Sequence, residues 1–241
     1  MIELTELIYQ MDSYVREFDA VVEEVRGKMV VLNKTAFNPR SGGLPPDTGY
    51  IIKASREYRV VDVEIDKESM NIVHVIDSEH DLSPGDTVHG VIDWSKRYRV
   101  MRLHTAAHIL SAIMYLRHGA LITGGNIYEE YAYDDYSLES FDLNIFKEAI
   151  SEANEVVKKG IDVKIYWLSR EEALRIPGII KLASKMPPSV ATLRIVEIPG
   201  VDIQADGGPH VRNTQEIGEI VFVKAENKGR KRKRLYYSLR P

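Results

Sequence analysis

Cysteine is absent from the 241 residues of the chain, and its absence restricts the chemistry of any active site. Disulfides, thiol catalysis and thiolate metal ligands are excluded, so a bound metal ion must take nitrogen or oxygen ligands. Long apolar runs are also missing, and none of the apolar stretches could cross a bilayer. The N-terminal MIELTELIYQMDSYVREFD is acidic and amphipathic, and it lacks the basic start and apolar segment of an export signal. We therefore expect a cytoplasmic protein with no membrane partner.

The residues that are present are typical of a soluble globular protein, with 44% apolar and 28% charged side chains. The length suffices for two domains. A net charge of −4 disfavours indiscriminate binding to nucleic acid. The run KGRKRKR at 228–234 nevertheless concentrates positive charge near the C-terminus, so a specific nucleic-acid partner stays open.

The first third of the chain has the pattern of a small antiparallel β domain, either a barrel or a sandwich. AVVEEVRGKMVVLNKT predicts two strands around a tight turn at Arg26-Gly27. Further strands are predicted at 58–65, 71–76 and 87–94, and residues 4–20 indicate a short helix or strand. Between them TAFNPRSGGLPPDTGY, with three glycines and three prolines, predicts a shaped loop.

The pattern changes near residue 95, where helical spacing of apolar residues begins. It predicts helices at 97–116, ending near Gly119, and at 138–159. Ser169 and Glu172 have the spacing of a helix-starting capping box. Strands are predicted at 163–168, 193–198, 217–224 and 235–239. We assign the chain to the α+β class: a small N-terminal antiparallel β-barrel domain at 1–95 with the glycine-rich loop, then an α/β two-layer sandwich at 96–241.

Two histidines four residues apart, His104 and His108, form the first half of a candidate metal site. On a helix their side chains are neighbours, so both can reach one ion. Such pairs also arise by chance as polar residues of a helix face. Thr105 stands where HExxH zinc proteases have their catalytic glutamate, so the general base of zinc proteolysis is missing.

The second half of the candidate site is the segment Asp206-Gly-Gly-Pro-His210. Glycine and proline disfavour a helix here, so Asp206 and His210 should lie on a tight turn after a strand that ends near Ile203. Two glycines would let backbone and substrate approach closely. Taken alone, the segment is explained equally well by an ordinary Asp-Gly turn followed by a surface histidine.

Taken together, the two halves resemble a known family. HTAAHIL, followed about a hundred residues later by VDIQADGGPHVRNTQEIGEI, is similar to the editing domain of alanyl-tRNA synthetases and more similar still to the free-standing alanyl-tRNA editing proteins. Other segments match in the same order: TAFNPRSGGLPPDTG, GVIDWSKRYRVMRLHTAAHIL, ITGGNIYEEYAYDDY where the family has a β-hairpin, and the closing hairpin AENKGRKRKRLYYSL. The resemblance covers nearly the whole chain. Because no alanine-activating domain precedes these segments, we expect the free-standing form.

The resemblance implies one Zn²⁺ per chain. The family's metal set is His-x-x-x-His plus Cys-x-x-x-His, which corresponds here to His104, His108 and His210, with Asp206 at the cysteine position. A carboxylate oxygen is an accepted zinc ligand, so a site with three histidines and one aspartate is chemically reasonable, although harder and more tolerant of other divalent ions. Asn38 and Leu44 also depart from the family, which has tyrosine and glutamine there.

The implied activity is hydrolysis, without ATP, of the ester between a wrong amino acid and the terminal ribose of alanine tRNA. Serine is the leading candidate and glycine the second, and the reaction would serve translation fidelity. A metal can polarise the ester, activate water or orient the substrate; orientation is the role that we favour, and no residue is assigned as general base.

A polar pocket could reject alanine because alanine would leave the hydrogen-bonding groups of the pocket unpaired. The residues expected to bind substrate are Thr35, Gly42, Gly43, Gly207 and Gly208; for Thr35 an ordinary loop hydroxyl is nearly as good an explanation.

The expected macromolecular partner is mischarged alanine tRNA, because Lys and Arg neutralise phosphates. The residues expected to contact it are Arg40, Arg212, Asn213, Lys228, Arg230, Lys231, Arg232, Lys233 and Arg234. Seen in isolation, the run at 228–234 would be a solvated hairpin tip.

Two other hypotheses remain open from the sequence. The chain could be a tRNA-binding relative that has lost hydrolysis, with Asp206 marking the loss. It could instead be a metal-dependent esterase or amidase with an incidental basic tail. The sequence does not indicate the oligomeric state.

Overall fold

A computed structural model describes residues 4–179 and 190–240 of the chain. The chain divides into two compact units, Met1–Val100 and Met101–Pro241, called here the N-terminal and C-terminal units. Among the described residues, we find no helix with the length and apolarity needed to span a bilayer.

The N-terminal unit is a closed antiparallel barrel of six strands in the order β2-β3-β7-β6-β5-β8. This confirms the barrel of the assigned fold class. Residues 4–20 contain a short strand, one helical turn and the start of the second strand. The elements are β1 (Glu6–Leu7), α1 (Ile8–Met11), β2 (Glu17–Arg26), β3 (Met29–Leu32), β4 (Lys34–Thr35), β5 (Gly49–Lys53), β6 (Arg56–Ile65), β7 (Ile72–Ile76) and β8 (Thr87–Ile92).

Alternation of side chains along the strands fills the barrel with aliphatic residues. Val30, Ile51 and Val60 are fully buried, as a strand with one face turned to the interior requires. Gly49 lies where two strands approach closely, since a Cβ atom there would lie 2.0 Å from the carbonyl oxygen of Val91. Glycine is therefore needed at the point where the shaped loop enters β5.

A buried ion pair fixes the glycine- and proline-rich loop. Arg97 Nε donates to Asp47 Oδ1 at 3.0 Å, and its Nη1 donates to the carbonyl oxygen of Ser13 at 3.0 Å. Asp47 in turn accepts a hydrogen bond from the backbone N–H of Asn38 at 2.6 Å. Because both charged side chains are almost fully buried and multiply hydrogen-bonded, the loop is held firmly within the N-terminal unit.

The C-terminal unit contains two antiparallel sheets, ordered β14-β15-β10-β9 and β11-β12-β13, together with helices, as the α/β sandwich predicts. Helix α3 contacts β14, and α4 contacts β11 and β12. The elements are α2 (Trp94–His118), whose residues up to Val100 belong to the N-terminal unit, β9 (Ile122–Ile127), β10 (Ala132–Tyr136), α3 (Leu143–Lys158), β11 (Lys164–Ser169), α4 (Arg170–Leu174), β12 (Thr192–Ile198), β13 (Asp202–Ala205), a 3₁₀ turn (Thr214–Ile217), β14 (Glu219–Asn227) and β15 (Lys233–Arg240).

The helix predictions are confirmed, with shifted starts that capping residues explain. Helix α2 begins at Trp94 because Asp93 accepts from the backbone N–H of Lys96 at 3.3 Å. Helix α3 begins five residues later than predicted, because Asp142 caps it by accepting from the N–H of Asn144 at 2.8 Å. The capping box predicted at Ser169 is present at the start of α4.

Candidate metal centre

The structure brings the four predicted ligands, His104, His108, Asp206 and His210, into one cluster. The two histidines of the first pair lie one turn apart on α2, and the other two residues follow β13. One ligand atom from each residue lies within 4.8 Å of all the others. The three histidines are buried, whereas the Asp206 side chain is 25% exposed, so solvent reaches the cluster on the side of Asp206.

A carboxylate behind the cluster orients His108. His108 Nδ1 lies 2.9 Å from Asp202 Oδ2, and Gln204 Nε2 donates to the same oxygen at 3.0 Å. Because the ionised carboxylate can only accept, Nδ1 carries the hydrogen and donates it. In the neutral imidazole, the Nε2 atom of His108 therefore presents a lone pair to the cluster. A carboxylate–histidine pair of this kind is a common support of metal-binding histidines.

The other two imidazoles are fixed in the same tautomer. His104 Nδ1 donates to the carbonyl oxygen of Pro209 at 3.3 Å. His210 Nδ1 lies 3.1 Å from Thr105 Oγ1, whose own hydrogen is donated to the carbonyl oxygen of Met101 at 2.9 Å. His210 is consequently the donor in its contact with Thr105. In its neutral form, each of the three histidines thus turns an unprotonated Nε2 towards one point.

Asp206 completes the set from the turn after β13. Its Oδ2 lies 3.6 Å from His104 Nε2 and 3.9 Å from His108 Nε2, and its Oδ1 lies 3.4 Å from His210 Nε2. The turn is held by the N–H of Gly208, which donates to Asp206 Oδ1 at 2.6 Å. Arg194 Nη1 also donates to the carbonyl oxygens of residues 206 and 208 at 2.9 and 3.0 Å. Gly207, between them, is exposed.

The electrostatics of the cluster favour a positive charge at its centre. Burial disfavours the ionised carboxyl of Asp206, but the charge of His104 and hydrogen bonds to the three imidazoles keep its pKa well below the usual range. Burial also opposes the charge of His108, yet hydrogen bonds to Asp202 and Asp206 outweigh this effect and raise its pKa to about 9. Burial and the charges of His104 and His108 lower the pKa of His210 well below 6.5. One ionised carboxylate thus faces imidazoles whose positive charges disfavour one another.

This donor set fits a metal ion. Three imidazole lone pairs and one carboxylate oxygen form a nitrogen and oxygen set of the kind that zinc accepts. Tetrahedral zinc would place neighbouring donor atoms about 3.3 Å apart, so separations of at most 4.8 Å need only a small contraction. Because the only alternative occupants are protons shared among crowded lone pairs, the arrangement is better explained by a cation site than by a hydrogen-bonded core.

Four supporting residues were missed from the sequence. Asp202 and Gln204 alternate on β13 directly before the metal turn, and this pair of polar residues facing one side of a strand was a usable signal. Thr105 stands at the position of the HExxH glutamate, and no sequence pattern indicated that its hydroxyl orients His210. Arg194 lies in an apolar strand, and nothing in its local sequence indicated that it donates hydrogen bonds to the metal turn at residues 206 and 208.

The predicted substrate-binding residues of the N-terminal unit are held by contacts within that unit. Thr35 is fully buried; its Oγ1 lies 2.8 Å from His74 Nε2 and accepts from the N–H of Phe37 at 3.1 Å. Gly42 and Gly43 adopt φ values of 54° and 91°, which glycine tolerates best, in a tight exposed turn.

Two of the basic residues expected to contact tRNA form contacts within the fold. Lys233 is buried in β15, and its Nζ donates to the carbonyl oxygens of Gly229 and Arg230 at 2.6 and 3.0 Å. Arg234 forms a two-bond ion pair with Asp135 at 2.7 and 2.9 Å. These two side chains therefore do not belong to a solvated hairpin tip. The four residues before them that were expected to contact tRNA are exposed: Lys228, Arg230, Lys231 and Arg232.

The remaining predicted tRNA contacts differ in their surroundings. Arg40 is exposed and pairs with Asp62 at 3.0 Å, and Arg212 is exposed. Asn213 caps the 3₁₀ turn through its Oδ1, while its Nδ2 donates to Gly160 O and Asp162 Oδ1 at 3.0 and 2.8 Å. The polar atoms of the Asn213 side chain thus already form hydrogen bonds within the fold, beside the metal turn.

Comparison with known proteins gives matches along the whole chain. The family model of tRNA synthetases class II (A) matches residues 4–96, and that of the threonyl and alanyl tRNA synthetase second additional domain matches residues 193–236. The alanyl-tRNA editing protein AlaX-M of Saccharolobus solfataricus is 53% identical over 239 residues, which cover 99% of this chain and 100% of that protein. The protein of the same name from Methanosarcina mazei is 41% identical, over 98% of this chain and 97% of that protein. The alanine–tRNA ligase of Ignicoccus hospitalis is 36% identical over 91% of this chain, a match that spans 24% of the ligase.

Proposed function

The chain belongs to the alanyl-tRNA editing proteins, and we propose that it is a hydrolase that deacylates alanine tRNA carrying the wrong amino acid. The observation that carries this proposal is the convergence of three Nε2 lone pairs and the Asp206 carboxylate on one point. Asp206 stands at the family's cysteine position and retains a metal-binding group there. The departure from the family pattern therefore changes the ligand and not the site.

We propose that His104, His108, His210 and Asp206 hold one Zn²⁺ per chain. A zinc ion held by them would supply polarisation and orientation of the ester end of the substrate. The protein residues contribute fixed geometry: Asp202, Thr105 and the Pro209 carbonyl accept from or orient the Nδ1 side of each imidazole, so that Nε2 is the atom left for the metal ion. Gly207, exposed beside the partly exposed Asp206, leaves room for the substrate backbone to approach.

We propose serine as the preferred wrong amino acid, with glycine as a second substrate. Thr35, Gly42 and Gly43 remain the proposed contacts in the N-terminal unit, and Gly207 and Gly208 those in the C-terminal unit. Support for Thr35 comes from its hydrogen bond to His74, which fixes the direction of the hydroxyl hydrogen. Because His74 Nδ1 donates to the carbonyl oxygen of Val30 at 3.0 Å, its Nε2 accepts from Thr35. The proposed contact with a serine hydroxyl requires the fully buried Thr35 to become accessible. Loss of that contact should reduce discrimination against alanine.

We propose that tRNA binds through the exposed basic residues. Lys228, Arg230, Lys231 and Arg232 form the tip between β14 and β15, called here the basic tip, and Arg40 and Arg212 are further candidates. Lys228 pairs with Glu226 at 2.6 Å and Lys231 with Glu139 at 3.5 Å, contacts that exposed side chains exchange readily for phosphates. Arg230 and Arg232 add planar groups suited to phosphate oxygens.

The test is ester hydrolysis with matched substrates. Purified protein is incubated with seryl-tRNA and alanyl-tRNA, both made with alanine tRNA, beside His104→Ala and Asp206→Ala, and metal content is measured on all three. The proposal expects fast release of serine, slow release of alanine, and loss of both activity and metal in the variants. A metal-loaded protein that releases no amino acid above the uncatalysed rate would overturn it in favour of a tRNA-binding relative. Equal hydrolysis of simple esters without tRNA would favour a general esterase.

A further inference from the structure

The sheet β14-β15-β10-β9 has one buried face and one face that is partly exposed to solvent. Along β15, Leu235, Tyr237 and Leu239 are buried, whereas Arg234 and Tyr236 between them are half-exposed. On β10, Ala132 and Asp134 are buried and Tyr133 between them is half-exposed. None of the four candidate metal ligands belongs to this sheet.

Four tyrosines cluster on this partly exposed face, and we call it the tyrosine face. The ring centroids of Tyr128 and Tyr131 are 4.9 Å apart, and those of Tyr133 and Tyr236 are 5.5 Å apart. The two pairs join, because Tyr131 lies 6.2 Å from Tyr236 and Tyr128 lies 6.3 Å from Tyr133. Tyr128 is 44% exposed and the other three are half-exposed. The rings thus form one continuous aromatic surface that water reaches.

Cationic side chains are interleaved with these rings. The guanidinium carbon of Arg234 lies 3.7 Å from the centroid of Tyr133, and Lys224 Nζ lies 4.4 Å from the centroid of Tyr236. Asp135 holds Arg234 over the ring of Tyr133 through two hydrogen bonds. From 224 to 234 the hairpin carries seven Lys or Arg residues and one carboxylate, Glu226. The positive charge therefore runs from the tyrosine face to the basic tip on one hairpin.

We propose that the tyrosine face binds unpaired RNA nucleotides, with bases stacked on the tyrosine rings and the backbone directed to the basic tip. Aromatic rings and Arg planes on an exposed four-stranded sheet are a recurrent means of holding splayed bases, because every base offers a flat face. A duplex keeps its bases stacked on one another and could use only the charges. From Arg232 to Ser238 the strand spans on the order of 20 Å, which is long enough for several nucleotides.

This surface is additional to the proposed hydrolysis. The aminoacyl end of the substrate must reach the metal centre, and the tyrosine face carries none of the four candidate ligands. The nucleotides bound there therefore belong to another unpaired part of the RNA. Cross-strand tyrosine pairs also stabilise a sheet, so the test must separate RNA binding from stability.

The experiment measures binding of a fluorescent 12-nucleotide single-stranded RNA to the full chain by anisotropy, beside the same sequence in a duplex. The double variant Tyr128→Leu/Tyr131→Leu removes stacking and keeps apolar volume; the matched control is Tyr50→Leu, which changes an exposed strand tyrosine of the N-terminal unit. Each lost stack should weaken single-strand binding between about 5-fold and about 150-fold. Duplex binding and the control should stay near wild type, and Tyr131→Phe, which keeps the ring, should bind as wild type.

Thermal unfolding of each variant shows whether the fold is intact, and variants that still unfold cooperatively are compared. Single-stranded binding equal to wild type in the folded double variant would overturn the proposal. Equal losses for single strand and duplex would also overturn it, since they would assign the face to charge-based binding. The probe carries no amino acid, so failure of the deacylation assay leaves this test unaffected.

Discussion

Replacing Asp202 with asparagine should weaken metal binding in a manner that depends on pH. Asp202 Oδ2 accepts from His108 Nδ1 at 2.9 Å, and both side chains are buried. Asparagine keeps the volume but removes the negative charge that makes the imidazole more basic. Loss of such a partner typically reduces metal affinity by about 10- to 100-fold.

The pH dependence follows from the pKa of His108, which lies at about 9 because hydrogen bonds to Asp202 and Asp206 outweigh the effect of burial. A metal ion binds only the neutral imidazole, so at pH 7 the proton competes by about 100-fold, on the order of 2.7 kcal/mol. Wild-type affinity should therefore rise by about tenfold per pH unit from 7 to 9. In Asp202→Asn the pKa of His108 falls, so the increase in zinc affinity with pH should end at a lower pH. The difference in zinc affinity between wild type and Asp202→Asn should be largest at pH 9.

Competition with a chromogenic zinc chelator between pH 6.5 and 9 measures both affinities. Glu197→Gln serves as the control, because this carboxylate of the same unit accepts from Tyr166 OH at 2.9 Å and does not touch the cluster's histidines. The control should follow the wild-type profile. Parallel pH profiles for wild type and Asp202→Asn would refute the role given to Asp202.

Three further predictions concern stability and RNA binding. Burial raises the pKa of Asp134 to about 7, against hydrogen bonds from Tyr237 and Tyr136. Because of this raised pKa, the protonated carboxyl stabilises the folded state relative to the unfolded state at low pH. This contribution to the free energy of unfolding is lost as pH rises through 7. The stability of Asp134→Asn relative to wild type should thus grow by up to about 4 kcal/mol from pH 4 to pH 8 in urea unfolding, and a constant difference would contradict this. Arg97→Ala should cost about 3–5 kcal/mol in the same assay, because it leaves a buried Asp47 charge unpaired, and a loss below about 1 kcal/mol would speak against that. Alanine at two arginines of the basic tip should lower tRNA affinity and reduce the salt slope by up to about 0.9 per charge, whereas an unchanged slope would exclude phosphate contact.

Sequence periodicity was sufficient for the elements that carry a clear apolar pattern. Helix α2 was predicted because its apolar residues recur at helical spacing, and this helix presents the first histidine pair. Strand β5 was missed, because Gly49–Lys53 is short and follows a loop rich in proline and glycine. The burial of Lys233 was also missed, although Lys233, Leu235, Tyr237 and Leu239 alternate on one face of β15, and this pattern opposes a solvated tip.

The ligands of the candidate site could be found from the sequence, whereas the contacts that orient them could not. His104 and His108 are close on any helix, and the family pattern added His210 and the position of Asp206. The contact between His108 and Asp202 joins residues 94 positions apart, so no local spacing predicts it. The tautomers of all three histidines depend on such distant contacts. The electrostatics of the site are therefore a property of the tertiary fold.

The most direct test of the central claim is a metal titration of the hydrolysis rate. The protein is stripped with a chelator, and zinc is added back while serine release from seryl-tRNA, made with alanine tRNA, is followed. A zinc site built by the four ligands predicts no release of serine above background from the stripped protein. As zinc is added back, the hydrolysis rate should rise linearly and saturate at one zinc per chain. His104→Ala should need far more zinc to reach any rate. Full activity of the stripped protein, or saturation only well above one zinc per chain, would contradict a catalytic site built by these four residues.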